Sequence, residues 1–311
     1  MAEHPALALR DPSPERPVLE ARGLTVRTHR RVLLRGVSLQ VPPGTVLGLV
    51  GPSGVGKTTL LKCFNRLLDL TPGLTVEGEV LLDGQPIYRR GLDTDRLRAR
   101  IGMLFQQPVI FPGSIYRNVA FGLRHLVARR QWRERVEGAL CEAALWREVR
   151  DRLDEPAAEL SVGQQQRLCL ARALALQPEV VLMDEPTGSL DPASTRAIES
   201  LVRRLADRHT VVLVTHDLEQ ALRVTDRLGV VLPRCPSGSR EGSGQVGERV
   251  GELVELGPTK SLFRSPRDPE VAEYLGSCSA SPRPANEPST HPLGLPDSEP
   301  STTLAVETLP S

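Results

Sequence analysis

Val46-Leu47-Gly48-Leu49-Val50-Gly51-Pro52-Ser53-Gly54-Val55-Gly56-Lys57-Thr58 is an apolar pentad that runs straight into a glycine-rich turn ending in Lys-Thr. The pentad reads as a buried strand, and Leu60, Leu61, Phe64, Leu67 and Leu68 then recur at helical spacing. The turn matches the P-loop pattern G-x-x-x-x-G-K-[ST], with the strand before it and the helix after it that this pattern requires. Glycines let the backbone curl so that successive N–H groups face an anion, and the helix that follows adds its positive end. Gly51, Pro52, Ser53, Gly54, Val55, Gly56, Lys57, Thr58 and Thr59 are therefore the candidate phosphate-binding residues. Lys57 suits the β- and γ-phosphates of a nucleotide, and the Thr58 hydroxyl suits Mg²⁺.

Two more apolar runs end in chemistry. Val180-Val181-Leu182-Met183 leads into Asp184-Glu185, and Val211-Val212-Leu213-Val214 leads into Thr215-His216-Asp217. Continuous apolar strands of this length suit a sheet covered on both faces. Their alternation with helical patterns predicts an α/β fold with a mainly parallel sheet. Ligands in such sheets bind beyond the carboxyl ends of the strands, so the polar ends of these runs predict one shared site. Asp184 is placed to hold Mg²⁺, and Glu185, projecting differently, to accept a proton from an attacking water. The plainer role of such acids is to complement a helix N-terminus, since Asp191-Pro192 opens the next helix. Two adjacent carboxylates are costly to desolvate without a cation, and beside a P-loop the catalytic reading prevails. A lone His216 would ordinarily be structural. In this company its imidazole is placed to bond a γ-phosphate and to orient Glu185 or the water.

Composition narrows the class. The 311 residues carry a net charge of +1 and only 3% aromatic residues, so neither a basic field nor a stacking surface for nucleic acid is present. Five scattered cysteines form no C-x-x-C pair, which fits a reducing compartment. No apolar run approaches the roughly 20 residues that span a bilayer, and the first 17 residues lack a signal-peptide core. A soluble chain that serves transport through a separate membrane partner is expected. Residues 1–17 read as a flexible leader, 18–277 as the folded domain, 233–250 as a flexible insertion and 278–311 as a disordered tail rich in Pro, Ser and Thr. Between about 107 and 160 the pattern turns helical, with Trp132, Val136, Ala139, Leu140 and Ala143 forming a core stripe and Arg129-Arg130 a solvated face.

Leu160-Ser161-Val162-Gly163-Gln164-Gln165-Gln166-Arg167 resembles the signature motif of ABC ATPases, usually written LSGGQ. With Lys57, Asp184-Glu185, Ser189-Leu190-Asp191 and His216 in that order, the chain is similar to a complete ABC nucleotide-binding domain over roughly residues 18–277. Gln106 in Phe105-Gln106-Gln107-Pro108 matches the family's Q-loop glutamine, which touches Mg²⁺ and water and senses the membrane partner. The resemblance implies a P-loop NTPase fold with an antiparallel β-subdomain and an inserted helical subdomain. It also implies ATP and Mg²⁺ as ligands, the latter on Thr58, Gln106 and Asp184. Two copies would pair head to tail, so that Ser161, Gly163 and Gln164 of one complete the phosphate site of the other, with Leu190-Asp191 at the contact. The implied partners are two integral-membrane permeases and, indirectly, an extracytoplasmic solute-binding protein, at the cytoplasmic face of the inner membrane.

Residues 111–122, Ala144-Leu145-Trp146, 164–169 and 251–255 resemble, more narrowly, the ATP-binding subunits of bacterial phosphate importers. Importers of other oxyanions or polar amino acids share parts of this pattern, and a soluble ABC ATPase without a transporter is the other class. The Phe111-Pro112 segment would face the permease. Three departures stand out. Val162 replaces a signature glycine, which predicts reduced rather than abolished turnover because the amide survives. Residues 27–31 hold no aromatic to stack on adenine, which predicts weak base affinity unless His29 substitutes. The acidic motif has the general ABC form rather than the small-residue variant of phosphate importers.

Overall fold

A computed structural model describes residues 17–188, 190–235 and 249–276. Ten strands form one sheet: β1 (Leu19–Thr28), β2 (Val32–Val41), β3 (Val46–Val50), β4 (Leu74–Leu82), β5 (Gln85–Pro86), β6 (Ile101–Leu104), β7 (Val180–Asp184), β8 (Thr210–Val214), β9 (Arg227–Arg234) and β10 (Val250–Pro258). The helices are α1 (Lys57–Phe64), α2 (Thr94–Arg100), α3 (Ile115–Ala120), α4 (Trp132–Glu142), α5 (Trp146–Val149), α6 (Val162–Leu174), α7 (Pro192–Leu205), α8 (Leu218–Val224), α9 (Thr259–Arg264) and α10 (Pro269–Gly276). Strand order is β5-β4-β1-β2-β10-β9-β3-β8-β7-β6. The run β9-β3-β8-β7-β6 is parallel throughout.

Strands β3, β7 and β8 are buried along their whole length, and their period-two alternation feeds two cores. Val181, Met183, Val211 and Leu213 pack on the side of α4, α6 and α7. Val180, Leu182, Val212 and Val214 pack on the side of α1 and the antiparallel strands. This two-sided demand explains why, after Thr210 opens β8, these strands are apolar up to their carboxyl ends. By contrast, β2 alternates buried Leu34, Val37, Leu39 and Val41 with exposed Gly36, Ser38 and Gln40, the pattern of a sheet covered on one face.

The antiparallel strands expected as a subdomain are hydrogen-bonded into the same sheet. Strand β10 makes the join: it pairs antiparallel with β9 along its length and parallel with β2 at the single position Gly251↔Leu34. Segment 107–160 holds α3–α5, and the stripe forms α4, with Val136, Ala139 and Leu140 buried there and Ala143 buried just beyond. Strands reach into both ends of the segment expected as a loop at 233–250. Pro233 and Arg234 finish β9 and Val250 opens β10, because these ends pair with each other and Arg234 is held by Asp268 and Glu270. Residues 236–248, the leader through residue 16 and the tail from 277 lie outside the described residues. Among the described residues four cysteines are unbonded, and no helix is long and apolar enough to cross a membrane.

At the join, a Cβ on Gly251 would lie 2.0 Å from the carbonyl oxygen of Val55 in the P-loop. Gly251→Ala should therefore cost about 1–3 kcal/mol through overpacking against backbone. A fall of several degrees in the thermal midpoint is expected, and an unchanged midpoint would contradict the contact.

Candidate functional site

Because β3, β6, β7 and β8 run parallel, their carboxyl ends share one edge of the sheet, and the polar residues that follow them gather there. After β3 the chain turns through Gly51 at φ 155°, Gly54 at 79° and Gly56 at 106° before α1 begins. A Cβ at Gly51 would sit 2.0 Å from the Val231 carbonyl oxygen, and one at Gly56 2.8 Å from Leu34 Cδ2. The glycines thus meet both a backbone need and a space limit. Lys57 is only 5% exposed. Its Nζ donates to the carbonyls of Gly51 (2.7 Å) and Pro52 (2.9 Å). Burial pulls the Lys57 pKa down, against the opposing pull of Glu185 and Asp184.

The Thr58 hydroxyl donates to Asp184 Oδ1 at 2.8 Å, joining the start of α1 to the end of β7. Burial raises the Asp184 pKa, and the Thr58 bond partly offsets this. Glu185 lies one residue past the strand, and its N–H still bonds the Val214 carbonyl of β8 at 2.9 Å. It is held at φ 42°, a left-handed conformation that a non-glycine residue adopts only when its surroundings impose it. That turn brings Glu185 Oε2 to 3.0 Å from His216 Nδ1 and 3.4 Å from Gln106 Nε2. The ends of β6, β7 and β8 each contribute one member of this trio.

The signature segment is built separately. Ser161 caps α6 in a reciprocal box: Gln164 N–H donates to Ser161 Oγ at 3.4 Å, and Ser161 N–H donates to Gln164 Oε1 at 3.0 Å. The Gln164 amide also donates to Glu148 at 2.9 Å. Val162 is 49% exposed at the first helical position, away from the chain's own core. Among the described residues no hydrogen bond joins Ser161, Gly163 or Gln164 to the P-loop. Their contacts lie with Glu148 and with the start of α7, where a Cβ on Gly163 would stand 2.7 Å from Ser194 Oγ. Asp191 caps α7, accepting from Ser194 Oγ at 2.5 Å. Ser189 lies outside the described residues. His29 is exposed in the turn between β1 and β2, with Thr28 Oγ1 accepting from the next two backbone amides but one.

Two glutamines to which the sequence assigned no role are buried. Gln166 of α6 donates to the Phe105 carbonyl at 2.9 Å, and Gln220 of α8 donates to Thr187 Oγ1 at 2.9 Å beneath the Glu185 turn. Gln166 falls inside the signature segment, but its depth shows only in the fold, on a helix shared with buried Leu168, Cys169, Leu170 and Leu174.

A glycine cradle with a buried lysine at the end of a parallel strand, an acid pair beside it, defines a nucleoside-triphosphate-binding protein of the P-loop class. The family model described as ABC transporter matches residues 34–188. Phosphate import ATP-binding protein PstB 1 of Synechococcus sp. (strain JA-3-3Ab) is 45% identical over 257 residues, covering 83% of this chain and 90% of that protein. Its namesake in Synechococcus sp. (strain JA-2-3B'a(2-13)) gives the same identity and coverage, 45%, 83% and 90%. Among solved structures, CbiO1 from Clostridium perfringens, part of the ABC transporter complex CbiONQ, superposes with a TM-score of 0.66 at 28% identity, covering 81% of this chain and 92% of that one. A bacterial Atm1-family ABC exporter with ATP bound gives a TM-score of 0.66 at 28% identity over 86% of this chain and 42% of its own. The chain belongs to the ABC transporter ATP-binding family.

The close approach of α6 to α7 is testable. Gly163→Ala should destabilise the chain by about 1–3 kcal/mol through the clash with Ser194. In a Ser194→Ala background, which removes the oxygen, the cost should shrink, as a double-mutant cycle of unfolding midpoints would read. Equal costs in both backgrounds would contradict the contact.

Proposed function

We propose that this chain hydrolyses ATP and thereby energises a membrane importer of inorganic phosphate. The observation that carries the chemistry is the Glu185 carboxylate, gripped by His216 and Gln106 at the edge where the P-loop opens. The observation that carries the cargo is 45% identity over 83% of the chain to a phosphate import ATP-binding protein. Phosphate itself would never touch this subunit, so its selection rests with the permease and an extracytoplasmic solute-binding protein.

The donor set fits Mg²⁺. Thr58 and Asp184 offer hard oxygens 2.8 Å apart, and a carboxylate whose burial disfavours its charge gains from a divalent cation. Gln106 Oε1 would supply a third oxygen. Held by these residues, the cation would supply positive charge against the charge that develops on the phosphates. Lys57 spends two of its three N–H donors on Gly51 and Pro52, which leaves one for phosphate. Glu185 accepts the proton of the water that attacks the γ-phosphorus in line. A 3.0 Å contact to a carboxylate selects the His216 tautomer with its proton on Nδ1, so His216 donates to Glu185 and fixes the direction of its free lone pairs.

Ser161, Gly163 and the first-turn amides of α6 serve a second copy's γ-phosphate, since a helix N-terminus is a ready anion site. Two chains then sandwich two nucleotides beneath two permeases, peripheral to the cytoplasmic face of the inner membrane. Exposed Phe105, Val109 and Phe121 beside the Q-loop, with the Phe111 ring tilted against Phe121 at 4.5 Å, offer the apolar footing for a permease segment.

With Mg-ATP, Glu185→Gln should lower kcat by about 10²–10⁴-fold while retaining ATP binding, since it removes only the general base. Lys57→Ala should lose nucleotide binding or turnover. Full activity in either variant would overturn the assigned roles. In a complex reconstituted with its co-purifying membrane proteins, phosphate with its binding protein should stimulate hydrolysis. Stimulation by a different oxyanion or an amino acid, with none from phosphate, would replace the cargo.

A further inference from the structure

We infer that Gln166 is a positioning residue for ATP hydrolysis, tying the signature helix to the backbone that carries Gln106. This rests on the ATPase reading above and adds to it a route between one chain's signature and its own water-activating carboxylate.

Gln166 is 1% exposed, within a helix whose buried neighbours are otherwise apolar or small. A buried amide in such surroundings is tolerated when it is hydrogen-bonded. Its Nε2 donates to the Phe105 carbonyl at 2.9 Å. Its Oε1 is buried and meets no donor among the described residues. Reversing the amide would set that oxygen against a carbonyl, so the orientation with N–H toward Phe105 is the one the chemistry allows.

The two ends of this bond matter for different reasons. Phe105 follows β6 and directly precedes Gln106, so its peptide plane sets where the Gln106 side chain begins. Gln106 reaches Glu185 at 3.4 Å, the long end of hydrogen bonding, where a displacement of a few tenths of an ångström makes or breaks the contact. At the other end, Gln166 lies on the same helix as Ser161, its cap, and Gly163, so the first turns move as one body. A shift of α6 when its N-terminus takes up an anion is therefore passed through one buried hydrogen bond to the Gln106–Glu185 pair. Occupancy of the neighbour's nucleotide site is reported to this chain's own site.

The test uses the full-length protein with Mg-ATP. Hydrolysis by the wild-type chain reads the proposed function, and the contrast between variants reads the inference. Gln166→Met, close in volume and without a donor, should lower kcat about tenfold at unchanged KM, the size of effect expected from one lost positioning hydrogen bond. In a Gln106→Ala background the same substitution should change kcat little, since the residue through which it acts is gone. An unchanged kcat, or independent losses that multiply in the double variant, would overturn the inference. Gln166→Glu supplies a second reading if the Met variant folds poorly. As a neutral acid it can donate to the Phe105 carbonyl, and once ionised it cannot. Its kcat should approach wild type at acid pH and fall as pH rises, at constant circular dichroism. A profile parallel to that of the wild type would also overturn the inference.

Discussion

The 2.8 Å bond between the Thr58 hydroxyl and the Asp184 carboxylate holds together what the rest of the molecule arranges. It joins the first helix of the P-loop to the end of a strand two positions away in the sheet, at a point where Asp184 is buried and Thr58 half-buried. Around it stand Lys57, whose burial disfavours its charge, and Asp184, whose burial does the same in the opposite sense. A protein interior tolerates such a concentration of half-desolvated charge when counter-charges complete it. A polyphosphate with its cation is a ligand of the required kind, and the fold follows from the need to present it. Parallel strands must be apolar on both faces, so their polar ends fall together on one edge.

That constraint also explains what the sequence reveals and what it withholds. The apolar runs of β3, β7 and β8 are legible because a two-sided core leaves little room for polar residues within a strand. Lys57, Thr58, Asp184, Glu185 and His216 are legible because each follows such a strand at a fixed offset. The α4 stripe is legible by its 3.6-residue period. Other features depend on distant packing. The join of both halves of the sheet rests on Gly251↔Leu34, one pair separated by most of the chain, and no local pattern predicts it. The left-handed Glu185 is imposed by its bond to Val214, not by any local preference. Gln166 and Gln220 are amides on otherwise amphipathic helices, and their depth shows only when the neighbouring loops are placed. The strand ends at Pro233, Arg234 and Val250 were hidden in a loop-like composition because each is secured by its partner across the sheet.

The signature segment shows the reverse relation. Its residues are recognisable in sequence, yet among the described residues of one chain they have no hydrogen bond to the phosphate loop. Ser161 and Val162 face outward, while Gln164 is engaged by Ser161 and Glu148. In the proposed function, a second copy supplies the nucleotide that this capped helix start would serve. Val162, 49% exposed at the first helical position, lies on the same outward side.

The central claim is that ATP is the adhesive between two chains. It is tested most directly by measuring the mass of the Glu185→Gln chain in solution with and without Mg-ATP. The account predicts a particle twice the 34.0 kDa chain mass with nucleotide, returning to a single chain when Ser161→Arg is added. A mass that stays at one chain with saturating Mg-ATP, or a doubling indifferent to residue 161, would contradict it.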